Sequence, residues 1–204
     1  MRPVPVLSPS QGAVQSSVSA AVSRFYSSME SAAAARVTGF IGDSYSSGSG
    51  ASTSSKRWTT MLCADQRWTE VNVAQAGTGY GTRGPTGYTA AIEKLASAQV
   101  ATVIVAGGRN DTGWYQDDPT AARAAIEKFY VELHTRLPTA NIIAVDPLWD
   151  SSTPPAWLGQ LGRDVQAAVI KVGGTYAQIG QPLANHRDWI VSDGVHPNDA
   201  ASRP

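Results

Sequence analysis

The chain has 204 residues, with 16 Lys and Arg against 16 Asp and Glu, so its formal net charge at pH 7 is zero. This length favours one domain with a full hydrophobic core, and the balanced charge without a basic cluster argues against nucleic acid or an anionic membrane as partner. The single cysteine, Cys63, excludes an internal disulfide framework, and we predict core packing for it and neither a metal nor a cofactor.

The N-terminal end carries no sign of membrane insertion. No run in the chain approaches the ~18–20 apolar residues that span a bilayer, and residues 1–10 contain prolines but no apolar stretch of signal-peptide length. We therefore expect a soluble protein. Either it is not exported by that route or its export signal lies outside this sequence, and the compartment and the oligomeric state stay open.

We predict a disordered lead at residues 1–10 and a single domain at residues 11–204. The domain would begin with a packing helix at residues 11–35, which are rich in alanine and serine. Its apolar stripe consists of Val14, Val18, Val22 and Phe25. Steps of four and three residues place these side chains on one face of a helix, which favours a packed helix over a flexible linker.

Short β-branched and apolar runs then alternate with helical patterns. Strands are predicted at residues 36–41, 70–74, 100–106, 141–145 and 175–179. Helices are predicted at residues 56–66, 89–98, 119–137 and 158–172. The third helix has a typical start, because Asp118 can cap it and Pro119 fits its first turn. This alternation favours a mostly parallel sheet with right-handed crossovers.

A serine follows the first predicted strand directly. Gly42, Asp43 and Ser44 stand where that strand gives way to a loop, and ligands of open α/β sheets bind at the carboxyl ends of strands. A helix starting here would direct unpaired N–H groups at Ser44 and favour a developing negative charge. The alternative interpretation is that Asp43 and Ser44 only cap a helix or shape a turn.

A serine nucleophile needs a base and an acid that orients the base. His196 is the best candidate base, and Asp193 stands three residues before it, so that one tight turn can carry both. Of the other histidines, His134 lies within a predicted helix and His186 has no acid three residues before it. The alternative is a surface turn followed by a solvent-exposed histidine.

Four segments together resemble the conserved blocks of the SGNH hydrolases, also called GDSL esterases and lipases. They are Gly42-Asp43-Ser44, the run from Asn72 to Gly77, Gly108-Arg109-Asn110-Asp111 and Asp193-Gly194-Val195-His196-Pro197. They occur in the family's order and spread over most of the chain. Tyr45 departs from the pattern, because the family usually has leucine there.

The resemblance implies a flavodoxin-like SGNH hydrolase fold, a three-layer α/β/α sandwich with a five-stranded parallel sheet in the order 2-1-3-4-5. It implies a serine esterase with Ser44, Asp193 and His196 as catalytic triad. It also assigns three donors to an oxyanion, namely the backbone N–H of Ser44, the backbone N–H of Gly77 and the side-chain amide of Asn110. Ordinary turn chemistry is the alternative for Asn110.

The activity we expect is that of a carboxylesterase or acetylesterase that removes short acyl groups through an acyl-enzyme. The substrate would be a small-molecule or carbohydrate ester, and we slightly favour carbohydrate esters over lipids because no long apolar lid segment is evident. Two alternatives stay open. One is a non-catalytic carbohydrate-binding or attachment domain of a larger surface assembly, and the other is an acyltransferase with the same triad.

Three further features have two interpretations each. Arg109 either reaches an anionic substrate group or is a surface arginine. Aromatic residues expected in loops after strands either line a substrate pocket or cover the sheet; they are Tyr80, Trp114, Tyr115, Trp149 and Trp157. Finally, family members usually have a closing helix after the last block, where only residues 198–204 remain. Either the natural chain has been cut, or the helix at 11–35 takes that place, which we slightly favour.

Overall fold

The structure is a computed structural model, and it describes residues 37–202. The predicted lead at 1–10 and the predicted packing helix at 11–35 lie outside the described residues. The question of which segment replaces a closing helix lies outside them too. No helix within the described residues is long and apolar enough to cross a membrane.

A parallel sheet of five strands forms the centre of residues 37–202. The strands are β1 (Val37–Gly42), β2 (Thr69–Asn72), β3 (Thr102–Ala106), β4 (Asn141–Val145) and β5 (Thr175–Ala177). Their order, β2-β1-β3-β4-β5, confirms the predicted one. Gly42 pairs with Ala106 at the ends of β1 and β3, so the loops after these strands leave the sheet side by side.

Helices connect the strands. They are α1 (Ser44–Ser47), α2 (Trp58–Gln66), α3 (Tyr88–Ser97), α4 (Thr112–Asp117), α5 (Pro119–Arg136) and α6 (Ala156–Lys171), with short 3-10 turns at Ser54–Lys56, Arg109–Asp111 and Arg187–Trp189. Both faces of β1 are covered. Ile41 belongs to the same buried cluster as Leu95 of α3, whereas the ring of Phe40 contacts Trp58 of α2 edge-on at 5.5 Å. The arrangement is the predicted α/β class.

The start of α5 is the predicted one. The Asp118 carboxylate accepts a hydrogen bond from the Ala121 N–H at 2.9 Å, and Pro119 occupies the first turn. The predicted apolar stripe is buried; it consists of Ala122, Ile126, Phe129, Leu133 and Leu137. Each large side chain of this kind contributes about 1.5–3 kcal/mol when it is fully buried, so the helix is fixed in the hydrophobic core, where it packs mainly against α3 and α6.

Some element boundaries differ from the predicted ones. β2 ends at Asn72 instead of residue 74; beyond it the Val73 N–H still donates to the Phe40 carbonyl at 3.0 Å, while the Asn72 side chain accepts from the Ala74 N–H at 3.0 Å and donates to the Ser46 carbonyl at 2.8 Å. The following helix starts at Trp58 instead of residue 56, because Arg57 has an extended backbone. Cys63 is buried in this helix, which confirms its predicted packing role.

Candidate active site

Ser44 is the first residue of α1 and follows β1 after a single connecting residue. That residue, Asp43, caps the helix, since its carboxylate accepts from the Tyr45 N–H at 2.9 Å. The sharp turn requires glycine at position 42, because a Cβ there would lie 2.2 Å from the Ala106 carbonyl oxygen. Gly48 ends the helix in a left-handed conformation, with φ of 91°. The serine is therefore held at the carboxyl edge of the sheet.

Asp43 is a buried carboxyl group at this edge, with only 2% of its surface exposed. Burial raises the pKa of Asp43 to about 6, although the Tyr45 N–H and the charge of Arg109 act in the opposite direction. Since its pKa in an unfolded chain is about 3.9, the folded protein holds this proton more tightly than the unfolded chain does. The contribution of Asp43 to stability therefore falls as the pH rises from about 4 through 6.

We expect Asp43→Asn to remove this pH dependence. Asparagine keeps a capping oxygen for the Tyr45 N–H but carries no charge to bury. Relative to the natural protein, the variant should gain on the order of 2 kcal/mol of unfolding free energy between about pH 4 and pH 8. Urea unfolding of both proteins at the two pH values measures the difference, and parallel pH profiles would contradict the assignment.

Asp193 and His196 form a direct pair. Nδ1 of His196 lies 2.6 Å from one oxygen of Asp193, and the other oxygen accepts from the N–H groups of Val195 (2.8 Å) and His196 (2.9 Å). The turn between them requires the left-handed backbone of Gly194, with φ of 74°. An ionised carboxylate only accepts, so Nδ1 carries the proton and Nε2 of the neutral ring is an acceptor.

The Asp193 carboxylate is ionised over the whole ordinary pH range. Hydrogen bonding to the His196 side chain, followed by the two backbone N–H groups, lowers the pKa of Asp193 to about 2. The side chains of Asp193 and His196 are 46% and 26% exposed. A carboxylate held in this way orients an imidazole whose second nitrogen is open to a reaction partner.

The histidine loop packs directly against the serine turn. The Tyr45 hydroxyl donates to the Val195 carbonyl at 2.7 Å, and the Tyr45 and His196 rings lie edge-on with centroids 6.0 Å apart. A Cβ at Gly50 would lie 3.0 Å from the Cβ of His196. Within residues 37–202, however, the Ser44 hydroxyl makes no hydrogen bond to His196. The serine turn and the histidine loop are thus adjacent, but the Ser44 hydroxyl and the His196 ring are not hydrogen-bonded to each other.

Gly77 and Asn110 are brought to the same edge. The Asn110 amide donates to the Thr78 carbonyl at 2.9 Å, which joins the loop after β3 to the loop after β2. The Thr78 hydroxyl in turn contacts the Gly42 carbonyl at 3.3 Å, at the end of β1. Gly77 has a φ of 76°, and among the described residues a Cβ there would meet nothing within 4 Å. All the predicted site residues except Asp193 and His196 thus follow β1, β2 or β3.

Asp111 has a structural role that the sequence alone did not indicate. Its carboxylate accepts from the N–H groups of Tyr80 (3.0 Å) and Gly81 (2.8 Å) and so holds the chain beyond Gly77 against the loop after β3. Burial raises the pKa of Asp111, and these two backbone hydrogen bonds oppose the increase. Its place beside Asn110 in the four-residue block was the only sequence signal for this role.

Arg109 is not a surface arginine, so that interpretation is wrong. Its Nη2 lies 2.8 Å from the Asp150 carboxylate, its side chain is 15% exposed, and its guanidinium lies 3.8 Å above the Trp149 ring. Nη1 is buried without a hydrogen-bond partner in the described part of the chain. The sequence left this interpretation open because Asp150 lies on the loop after β4, 41 residues away.

Most of the aromatic residues expected in loops cover the sheet or its helices. Trp114 and Tyr115 lie in α4 and Trp157 lies in α6, so the prediction of loops was wrong for these three. Tyr80 is buried and its hydroxyl contacts that of Tyr130 at 2.9 Å in the core. Among residues 37–202, no group of three or more His, Cys, Asp or Glu side chains is arranged to hold a metal ion.

Comparison with known proteins identifies the family. Residues 40–203 match the model of the GDSL-like lipase/acylhydrolase family. The chain is 33% identical over 177 residues to the GDSL lipase Rv0518 of Mycobacterium tuberculosis, which covers 78% of this chain and 74% of that protein.

Solved structures show the same fold. A carbohydrate acetylesterase from Sinorhizobium meliloti is similar at a TM-score of 0.61 and 17% identity, covering 82% of this chain and 93% of that one. The psychrotrophic esterase EstA from Pseudoalteromonas sp. is similar at 0.65 and 14% identity, covering 82% and 90%. With the family model matched over most of its length, the chain belongs to the GDSL-like lipase/acylhydrolase family and is an ester hydrolase.

Proposed function

We propose that the enzyme works through an acyl-enzyme on Ser44, with His196 as general base and Asp193 as the group that orients it. The observation that carries this proposal is the 2.6 Å contact between Asp193 and Nδ1 of His196, on a loop that packs against the serine turn. It leaves Nε2 as the acceptor that a serine proton needs. We expect the hydrogen bond between the Ser44 hydroxyl and Nε2 of His196 to form when substrate binds, because catalytic hydrogen bonds often tighten only in the enzyme–substrate complex.

The reaction runs in two halves. Ser44 Oγ attacks the ester carbonyl carbon while its proton passes to Nε2 of His196, which gives a tetrahedral oxyanion. The oxyanion collapses, the bond to the leaving alcohol breaks, and that alcohol takes the proton from His196. A water molecule then attacks the acyl carbon with His196 again as base, which releases the carboxylic acid and returns the proton to Ser44.

Three donors would stabilise the oxyanion. Ser44 opens α1, so its backbone N–H has no acceptor within the helix. Gly77 has no side chain that would obstruct its N–H, and among the described residues a Cβ there would meet nothing within 4 Å. The Asn110 amide gives one hydrogen to Thr78, which fixes its plane, and keeps the second for the substrate oxygen. Such fixed donors are most effective once negative charge has developed.

We therefore expect Asn110→Ala to act on kcat. Loss of one oxyanion donor typically lowers kcat by about 10²–10³-fold, and KM should change little because the ground-state carbonyl needs the donor less. Steady-state kinetics with a nitrophenyl ester separates the two parameters, and the melting temperature shows how much the lost contact with Thr78 affects folding. A change confined to KM would mean that Asn110 only binds substrate in its ground state.

The proposed substrates are esters of short acyl groups, with carbohydrate esters favoured. A groove of about 560 Å³ lies beside the Asp193 turn, and the polar side chains in its lining include Asp150, Ser152, Asn185 and Arg187. Such polar groups can hydrogen-bond the hydroxyls of a sugar, whereas a long acyl chain requires an apolar lining. A similar solved structure is described as a carbohydrate acetylesterase. The exposure of the Asp193–His196 pair also gives water access to an acyl-enzyme, which favours hydrolysis over transfer.

Hydrolysis of nitrophenyl esters of graded chain length, beside acetylated oligosaccharides, tests this proposal. We expect the highest kcat/KM with acetyl or another short acyl group, and release of free acetate from the oligosaccharides. The Ser44→Ala protein is the matched blank. Preference for long acyl chains would contradict the substrate class, acyl transfer to an added sugar without acetate release would indicate a transferase, and no turnover of any ester would favour a binding domain.

A further inference from the structure

Tyr45 joins the two loops that carry the proposed nucleophile and base. It follows Ser44 directly in α1, and its side chain is nearly buried, with 7% exposed. Its hydroxyl donates to the Val195 carbonyl at 2.7 Å, across 150 residues of sequence. Its ring lies edge-on to that of His196, with centroids 6.0 Å apart. The Tyr45 side chain thus contacts the histidine loop at two points, and neither contact involves Asp193, the partner of Nδ1.

The ring of Tyr45 also has a cationic neighbour, Arg109. The Arg109 guanidinium lies 5.9 Å from the ring centroid, and it is itself held by Asp150 and by stacking on Trp149. Burial raises the pKa of Tyr45 to about 12. The hydroxyl therefore stays protonated and remains a donor at any pH at which the enzyme is assayed.

The hydrogen bond from Tyr45 to Val195 can affect His196 because of where it lies in the chain. The carbonyl of Val195 and the N–H of His196 belong to one planar peptide unit. Its N–H donates to the Asp193 carboxylate at 2.9 Å, and its oxygen accepts from Tyr45 at 2.7 Å. Both polar groups of this peptide are therefore hydrogen-bonded, which fixes the orientation of its plane. The Cα of His196 is bonded directly to this peptide. Without Tyr45, the bond to Asp193 would be the one hydrogen bond left on this peptide within residues 37–202, and the next carbonyl, that of His196, would still accept from the Val191 N–H at 2.9 Å.

We propose that Tyr45 is a positioning residue, which sets the distance and angle of the His196 ring relative to Ser44 through the Val195–His196 peptide. The inference rests on the proposed roles of Ser44 and His196. Leucine, which the family usually has at this place, offers no hydroxyl to the Val195 carbonyl. The link is thus a feature of this chain, and it matters most while Ser44 and His196 are not yet hydrogen-bonded to one another.

Tyr45→Phe removes the hydroxyl and keeps the ring. We expect kcat to fall about five- to tenfold, because one fixed end of the peptide is lost, while KM stays within about twofold. The pH at which kcat/KM is half-maximal should not move, because the Asp193 contact with His196 remains. Tyr45→Leu, which removes the ring contact as well, should lower kcat at least as much.

The matched control is Tyr130→Phe. It also removes the hydroxyl of a buried tyrosine, whose contact is with Tyr80 in the core and not with the serine or histidine loops. We expect it to lower the melting temperature but to leave kcat within about twofold, when all proteins are assayed well below their melting temperatures. A second readout is the rate at which a phosphonate ester labels the protein, which should fall with kcat in the Tyr45 variants only.

Two results would overturn the inference. One is a kcat within about twofold of the natural protein in both Tyr45 variants, and the other is an equal fall in kcat in Tyr130→Phe, which would mean general loosening. Ser44→Ala in the same assay separates this inference from the proposed function. If Ser44→Ala keeps its activity, the proposed function itself fails and the inference fails with it. If Ser44→Ala is inactive and the Tyr45 variants are normal, only the role of Tyr45 is refuted.

Discussion

Ser44→Ala is expected to lower kcat by on the order of 10⁴-fold or more, with the fold intact. In the proposed mechanism this hydroxyl forms the acyl-enzyme, and removing it leaves the binding and oxyanion interactions. The substitution should leave the helix in place, because the capping oxygen comes from Asp43 and not from Ser44. Steady-state kinetics with nitrophenyl acetate measures the loss, and circular dichroism checks the fold.

Ser47→Ala is the control for this substitution. Ser47 lies in the same four-residue helix, and its hydroxyl contacts only the Ser44 carbonyl, at 3.2 Å, within the described residues. We expect its kcat to stay within about threefold of the natural value, since a single neutral hydrogen bond of this kind contributes little. Near-normal turnover by Ser44→Ala would remove Ser44 from the mechanism, whatever Ser47→Ala does.

Asp193→Asn is expected to cut kcat by roughly 10⁴-fold. An asparagine amide can donate to Nδ1 of His196, which places the ring proton on Nε2, and that tautomer cannot accept the proton of Ser44. The loss of negative charge should also move the half-maximal pH of kcat/KM downward, because an amide does not stabilise the imidazolium. The measurement is kcat/KM from about pH 5 to 9 in both proteins.

This pH range keeps the natural pair intact. Because the pKa of Asp193 is lowered to about 2, from about 3.9 in an unfolded chain, its contribution to stability is present above about pH 4 and is lost only as the pH falls toward 2. Asp188→Asn, an exposed acid in the same C-terminal loop, is the matched control. An unchanged rate and pH profile in Asp193→Asn would show that His196 has another partner.

Local sequence predicted much of the fold because the deciding interactions are local. β4 has the predicted bounds of 141–145, since a short apolar run between two breakers leaves little choice. The start of α5 was predictable from Asp118 and Pro119 because a cap and its N–H group lie three residues apart. Asp193 and His196 were predictable as a pair for the same reason.

Contacts between distant segments were not predictable. The hydroxyl of Tyr45 meets Val195 only because the sheet order places the serine turn beside the C-terminal loop. The pairing of Arg109 with Asp150 likewise depends on β3 and β4 being neighbours. The tyrosine in place of the family's usual leucine marked position 45 as a departure from the pattern, but nothing in the sequence indicated Val195 as its partner.

The most direct test of the mechanism is the mass of the protein during turnover. The enzyme is mixed with nitrophenyl acetate, quenched in acid within a fraction of a second, and digested for peptide mass spectrometry. The proposed mechanism predicts one acetyl group per chain, carried by Ser44 and absent from the Ser44→Ala protein. Acetate release with no acetylated peptide at Ser44 would contradict this mechanism. So would an acetyl group on another residue that is also found in the Ser44→Ala protein.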